Sequence, residues 1–164
     1  MKILLAVGLV CLPFAAAAQD HSASFVSDSG AEIGKATLQQ TKTGVLIQAE
    51  LGGLPPSSWV AFHIHETGTC DPAGMFDSAG GHFNPGGAEH GYLAANGPHA
   101  GDMPNIWVDA EGKSQVEVFN TQVTLDKGER GVEGRALMIH AKPDDYNTQP
   151  SGGAGDRLAC AVIK

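Results

Sequence analysis

The chain has 164 residues, of which 42% are hydrophobic and 17% charged; these proportions exclude a disordered protein and indicate one globular domain. Its formal net charge of -8, with no basic run, argues against nucleic acid or an anionic membrane as a partner. The 22 glycines and 9 prolines are scattered, which is typical of many short strands joined by turns and long loops.

The first eighteen residues have the order of a secretory signal peptide. Lys2 gives a positive start, residues 3–14 form an apolar run, and residues 15–18 are four alanines suited to cleavage. The apolar run is too short to span a bilayer. We therefore predict a signal peptide over residues 1–18 and an exported domain over residues 19–164, with no membrane attachment after cleavage.

Alternating apolar residues between turn clusters predict short strands along the exported domain. The clearest covers residues 43–51, where Val45, Ile47 and Leu51 share one face and Gln48 lies on the other. Further strands are predicted over residues 24–26, 35–39, 59–65, 105–109, 115–119, 122–125, 135–140 and 157–163. With no convincing helix, the pattern predicts an all-β fold of about eight strands, either an antiparallel β-sandwich or a flattened barrel.

Two long polar segments interrupt this pattern, residues 67–104 and 142–156. Both are rich in glycine and proline, and the first carries three histidines. An irregular loop of such length in a compact domain usually indicates either function or disorder. We expect that something ties the first loop down.

The cysteines predict a covalent link. Cleavage would remove Cys11 and leave Cys70 and Cys160, an even number in an exported protein. One disulfide is therefore expected in preference to two buried free thiols, and it would close a loop of about ninety residues.

The histidines are candidates for metal ligands. His63 and His65 lie two apart in a predicted strand, so both imidazoles point to the same face. His140 ends another strand, and these three imidazoles suit copper or zinc. Three loop histidines and one aspartate make a donor set for a closed zinc site: His82, His90, His99 and Asp102. The alternative is that each histidine is merely structural, capping or solvated.

Six short motifs give the sequence a family resemblance. Phe62-His63-Ile64-His65-Glu66, residues 78–85 (SAGGHFNP) and His99-Ala100-Gly101-Asp102 are the most specific, and His90-Gly91, residues 137–140 (LMIH) and residues 155–160 (GDRLAC) complete the set. Over residues 23–163 the chain resembles the copper/zinc superoxide dismutase family, in particular its bacterial members.

The resemblance implies an eight-stranded Greek-key barrel with long metal-binding and electrostatic loops. It also implies one copper and one zinc per subunit, and the conversion of two superoxide anions and two protons to oxygen and hydrogen peroxide by Cu(II)/Cu(I) cycling. A periplasmic location is typical of the bacterial members, and a homodimer, with Trp107 and Tyr92 at its interface, is compatible with them.

The resemblance also assigns roles to individual residues. Copper ligands would be His63, His65, His82 and His140. Zinc ligands would be His82, His90, His99 and Asp102, so that His82 bridges the metals. Arg157 would attract the anionic substrate and, with His82, be catalytic; Asp144 would orient ligands of both metals; and Cys70–Cys160 would pin the metal loop to the last strand.

Alternatives remain at the level of the sequence. A non-enzymatic exported protein that binds or delivers copper or zinc could use the same ligands, although it would not need an anion guide such as Arg157. Arg157 could instead be a surface residue paired with a carboxylate, and Asp144 a loop-turn residue. His21 is either a solvated tail residue or, with a free amine at Gln19, part of a square-planar Cu(II) or Ni(II) site.

Overall fold

The computed structural model describes residues 20–164, so the predicted signal peptide and Gln19 lie outside the described residues. Within that range the chain forms nine short strands, and a single 3-10 turn at Asp77–Ala79 is the only helical element. The strands are β1 (His21–Ser27), β2 (Glu32–Gln40), β3 (Val45–Leu51), β4 (Ser58–Val60), β5 (Phe62–His65), β6 (Ile106–Val108), β7 (Ser114–Asn120), β8 (Ala136–His140) and β9 (Arg157–Val162). No helix between residues 20 and 164 has the length and apolar character needed to cross a membrane.

Seven of these strands form one antiparallel sheet in the order β5-β8-β9-β1-β2-β3-β7, and β4 pairs with β6. The pairs β5–β8 and β3–β7 join strands that are distant in the chain, as in Greek-key connections. Residues from all seven strands enter a single hydrophobic core, so the sheet curls around it. The prediction of an all-β antiparallel barrel is therefore confirmed.

Two predicted strands differ from the structure. The strand expected over residues 59–65 is divided at Ala61, whose N–H donates to Lys142 O and whose carbonyl accepts from His140 N. As a result β4 and β5 pair with different partners, which makes the strand count nine. The strand expected over residues 122–125 is absent, because Thr124 makes only an isolated parallel bridge with Gly131.

Strand β8 separates two apolar clusters. Leu137 and Ile139 face the main core, whereas Ala136 and Met138 face a smaller cluster that contains Phe76 and Cys160. All five residues of β8 are buried, because the loop after β5 covers its outer face. The predicted metal loop is therefore part of the packed structure.

Candidate metal centre

Strand β5 assembles the centre by binding two distant loop segments. The N–H of Ile64 donates to Gly101 O, and its carbonyl accepts from Phe83 N, each at 2.8 Å. These bonds bring His82 beside His65 and Asp102 beside His63. A Cβ at Gly101 would lie 2.3 Å from the carbonyl oxygen of Ile64, so this approach requires glycine.

Four histidines converge in what we call the four-histidine group: His63, His65, His82 and His140. The Nδ1 atoms of His65 and His140 donate to the carbonyls of Gly80 and Gly155, at 2.9 and 3.3 Å. Because Nδ1 carries the proton, each Nε2 has a free lone pair, and these two Nε2 atoms lie 3.3 Å apart. The lone pairs therefore face one point.

A second set of side chains, the histidine–aspartate group, surrounds Asp102: His82, His90 and His99. Their Nδ1 atoms lie 2.9, 3.0 and 3.3 Å from Asp102 Oδ1. Ligands bound at about 2.0 Å in a tetrahedron are separated by about 3.3 Å, so these spacings are close to those of a four-coordinate zinc site.

His82 belongs to both groups. Its Nδ1 faces Asp102, while its Nε2 points into the four-histidine group and is buried without a hydrogen-bond partner among the described residues. Nδ1 of His63 and Nδ1 of His99 are likewise buried without such a partner. An unpaired buried nitrogen costs about 1–3 kcal/mol, and an ion at each group would satisfy these atoms. The residues present therefore fit a copper ion in the first group and a zinc ion in the second.

Asp144 connects the two groups from behind. Its carboxylate accepts from Nε2 of His63 at 2.9 Å and from Nε2 of His90 at 3.0 Å. The carboxyl is 4% exposed, so both bonds are shielded from water. The same carboxylate accepts from Tyr146 N in its own turn, but its bonds to both imidazoles make it more than a turn residue, because they determine which nitrogen of each ring is left free.

The two groups have opposite electrostatic character. Burial lowers the pKa of His65 to about 2, of His140 to about 3 and of His82 to about 4, so these imidazoles are neutral at physiological pH. Burial also opposes a proton on His90, but hydrogen bonds to Asp102 and Asp144 outweigh it and raise the pKa of His90 to about 9.

The two carboxylates respond in the complementary direction. Burial raises the pKa of each carboxyl, but hydrogen bonds from histidines outweigh burial and hold both pKa values well below the usual range. For Asp102 the donors are His82 and His90, and for Asp144 they are His63 and His90. Both carboxylates are therefore ionised in the folded protein at neutral pH.

Arg157 lies beside the four-histidine group at the start of β9. Its Nη1 donates to Phe76 O and its Nη2 to Gly80 O, and Gly80 O also accepts from His65 Nδ1. No carboxylate of residues 20–164 lies within ion-pair distance of this guanidinium. The alternative of a surface arginine paired with an acid is therefore wrong, and the positive charge is uncompensated.

The predicted disulfide is confirmed. Cys70 and Cys160 are bonded across a sequence separation of 90 residues, with Cα atoms 5.6 Å apart. The bond attaches the loop after β5 to strand β9, so the loop that carries Gly80 and His82 is fixed to the strand that begins with Arg157.

Two side-chain amides complete the centre, and neither was predicted from the sequence. Asn105 accepts from Asp144 N and donates to Asp144 O, at 2.8 and 2.9 Å. Gln149 pairs in the same way with the N–H and carbonyl of His90, at 2.8 and 2.9 Å. Each amide holds the backbone of a residue whose side chain lies in the centre.

His21 does not occupy a solvated tail. It begins β1 opposite Leu38 and is 7% exposed, so that interpretation is wrong. The alternative chelate needs the amine of Gln19, which lies outside the described residues, and it stays a prediction.

Comparison with known proteins identifies the family of the domain. The chain matches the model of the family described as copper/zinc superoxide dismutase (SODC) over residues 32–163. It is 52% identical over 146 residues to an Aquifex aeolicus protein named Superoxide dismutase (Cu-Zn) 2, covering 87% of this chain and 85% of that protein.

Two solved structures extend the comparison. A SOD-like protein from Bacillus subtilis superposes with a TM-score of 0.82 at 36% identity, over 87% of this chain and 97% of that one. The Cu/Zn superoxide dismutase of Brucella abortus gives a TM-score of 0.73 at 28% identity, over 89% and 100%. Each match spans most of both chains, so the likeness concerns the complete domain rather than an isolated motif.

Proposed function

This chain belongs to the copper/zinc superoxide dismutase family, and from that premise we propose that it converts two superoxide anions and two protons into oxygen and hydrogen peroxide. The observation that best supports this function is the position of His82 between two convergent donor groups. A single imidazole with one nitrogen in each group can couple two metals, which a storage site would not need.

The ligand assignment follows from the donor atoms. We assign copper to the four-histidine group and zinc to the histidine–aspartate group, with one of each per subunit. When bound, copper supplies one-electron chemistry by alternating between Cu(II) and Cu(I), and zinc supplies a fixed charge without redox chemistry. Nε2 of His82 is the atom at which we place the proton that is taken up and returned between the two halves of the reaction.

Arg157 supplies the binding energy for the anion. Two of its five N–H donors are used by neutral carbonyls, and no acid of the described chain neutralises it. Arginine keeps its charge throughout the accessible pH range, so its attraction of a small anion toward the four-histidine group does not depend on pH.

The test is superoxide dismutation by residues 19–164 loaded with copper and zinc, with and without cyanide. The matched control is His140→Ala, which removes one ligand of the four-histidine group and leaves the histidine–aspartate group intact. We expect rapid, cyanide-sensitive activity that the variant loses. A fully loaded wild-type protein without activity would overturn the proposal in favour of copper or zinc delivery.

We also propose export to the periplasm with cleavage after Ala18. The disulfide supports an oxidising compartment, and residues 1–18 have the order of a signal peptide. Mass spectrometry of the protein from a periplasmic fraction should give a chain that begins at Gln19. A full-length chain recovered from the cytoplasm would contradict this assignment.

We further propose that the protein forms a homodimer through the β4–β6 face. Trp59 and Trp107 are directly opposite each other on these strands, 52% and 47% exposed, with ring centroids 5.4 Å apart. Phe119, 48% exposed, lines the same broad depression. Contiguous exposed aromatic surface is typical of subunit interfaces.

Tyr92, the other aromatic residue expected at an interface, has contacts within its own subunit. Its hydroxyl donates to Asp102 O, and its ring packs against Tyr146. Sedimentation of Trp107→Ser should therefore show a monomer where the wild type is a dimer, while Tyr92→Phe should sediment as the wild type does. A wild-type monomer at high concentration would contradict the proposed face.

A further inference from the structure

The loop closed by the disulfide contains two consecutive residues in the left-handed region of backbone space. Met75 has a φ of 51° and Phe76 a φ of 61°, and neither is glycine. A Cβ makes this region unfavourable, and bulky residues adopt it only where the surrounding structure imposes it. Such residues concentrate at functional sites, so the pair needs an explanation.

The side chain of Phe76 imposes this conformation. It is fully buried in the cluster that includes Ala136, Met138 and Cys160, whereas the side chain of Met75 is 69% exposed. The backbone of Phe76 is also bonded within the loop, because its N–H donates to Asp71 O at 2.9 Å. The aromatic ring thus anchors a turn that its backbone alone would disfavour.

The anchored turn presents one carbonyl to the anion guide. Phe76 O accepts from Nη1 of Arg157, and Gly80 O accepts from Nη2 at 2.7 Å. The two carbonyls lie four residues apart in the same loop and hold the guanidinium from two sides. Because neither carries a net charge, they orient Arg157 without neutralising it.

We propose that Phe76 is a positioning residue, whose buried ring fixes the carbonyl that orients Arg157 toward the incoming anion. The inference rests on the proposed role of Arg157 as the anion guide. Without the ring, the turn is held only by backbone hydrogen bonds such as that from Ala79 N–H to Phe76 O, so the Phe76 carbonyl and its bond from Arg157 become less well ordered. Arg157 then samples orientations that bind an anion less well, although every metal ligand stays in place.

The test compares four variants of the full exported chain with the disulfide intact. Phe76→Ala removes the anchor, and Phe76→Leu keeps most of the buried volume in case the alanine variant does not fold. Met75→Ala is the matched control, because it truncates the exposed neighbour in the same strained turn. Arg157→Gln removes the guanidinium itself and gives the full loss of anion binding against which the other variants are compared.

Two measurements are made on each variant. The first is the affinity of the copper- and zinc-loaded protein for azide, a small anion, together with kcat/KM for superoxide. The second is the NMR signal of the Arg157 Nη–H groups in the zinc-loaded, copper-free protein, which reports how long these groups stay bonded to the two carbonyls and does not depend on activity. Copper and zinc contents are measured alongside.

We expect Phe76→Ala to weaken azide binding and lower kcat/KM by roughly 3- to 10-fold at unchanged metal content. Phe76→Leu should give a smaller loss, Met75→Ala none, and Arg157→Gln a loss larger than that of Phe76→Ala. The Nη–H signal of Arg157 should exchange faster with water in Phe76→Ala than in Met75→Ala.

Equal behaviour of the Phe76 variants and Met75→Ala in both measurements would overturn the positioning role. If Arg157→Gln left azide affinity and kcat/KM unchanged, the anion-guide role and the inference that depends on it would both fail. In that case the NMR signal would still show whether Phe76 holds the guanidinium, so the two failures are distinguishable.

Discussion

Replacing Asp144 by alanine should weaken both metal sites at once. Its carboxylate is the shared acceptor for Nε2–H of His63 and Nε2–H of His90, which belong to different donor groups. Alanine leaves two buried donors unpaired. It also frees both rings to rotate, so Nδ1 of each imidazole no longer points steadily at its metal.

The size of the effect can be worked out from these two bonds. A buried donor left without a partner costs about 1–3 kcal/mol, and each 1.4 kcal/mol changes an equilibrium constant about tenfold. One such donor arises in each group, so copper and zinc affinities should each fall by about 10- to 100-fold. The loss of an outer hydrogen-bond partner at other metal sites has a similar cost.

The measurement is a competition titration of each metal against a chromogenic chelator. Asp145→Ala is the matched control, because it removes the same charge one residue away. The Asp145 carboxylate is exposed and accepts hydrogen bonds from Asn147 and Thr148 of its own turn. If both variants lost affinity equally, net charge rather than hydrogen bonding would be the cause, and unchanged affinities in Asp144→Ala would refute the reasoning altogether.

Three further predictions follow from the same geometry. The pKa of His90 is raised from 6.5 to about 9 in the metal-free fold, so its contribution to stability is complete below pH 6.5 and is lost as pH rises through 9. Denaturant unfolding of the metal-free protein should therefore show stability falling between these limits, and a flat or rising stability would contradict this. Asn105→Ala should lower zinc affinity by roughly 3- to 10-fold in the chelator assay, because it removes both hydrogen bonds between the Asn105 side chain and the backbone of Asp144. A loss of thermal stability without a change in zinc affinity would refute the proposed effect of Asn105 on the zinc site. Asp156 directly precedes Arg157 in the chain and is exposed, so Asp156→Ser removes a negative charge beside the anion guide and should raise the association rate of superoxide at low ionic strength. The gain should vanish with added salt, and no change at low salt would mean that Asp156 points away from the anion's path.

Much of the fold was predictable because strand periodicity and turn residues are local signals. The alternation in β3 correctly placed Val45, Ile47 and Leu51 in the core, with Gln48 outward. The division of the strand at Ala61 was not predictable, because it depends on hydrogen bonds to Lys142 and His140, which are about eighty residues away.

The histidines and the aspartate of the metal centre could be predicted, because their residue types and spacing are informative. Histidines two apart on a strand and a histidine three residues before an aspartate are visible in any sequence. The roles of Asn105 and Gln149 were not visible, because amide side chains that pair with a distant backbone leave no spacing pattern. The roles of the Phe76 and Gly80 carbonyls could not be predicted either. Every residue has a backbone carbonyl, and only the fold determines which way it points.

The distribution of carboxylates explains how one continuous cluster of histidines can favour two different metals. His65 and His140 have only carbonyl partners, whose hydrogen bonds do not offset burial, so the pKa of each imidazole is lowered and both rings stay neutral. The four-histidine group offers only imidazole nitrogens as donors, which suit copper. The histidine–aspartate group instead places the ionised carboxylate of Asp102 among imidazoles, and this mixed set of nitrogen and oxygen donors suits zinc. His82 lies at the boundary between the two environments, with Asp102 at one nitrogen and only imidazoles around the other. The asymmetry of its surroundings, rather than the number of histidines, is what distinguishes the two metal positions.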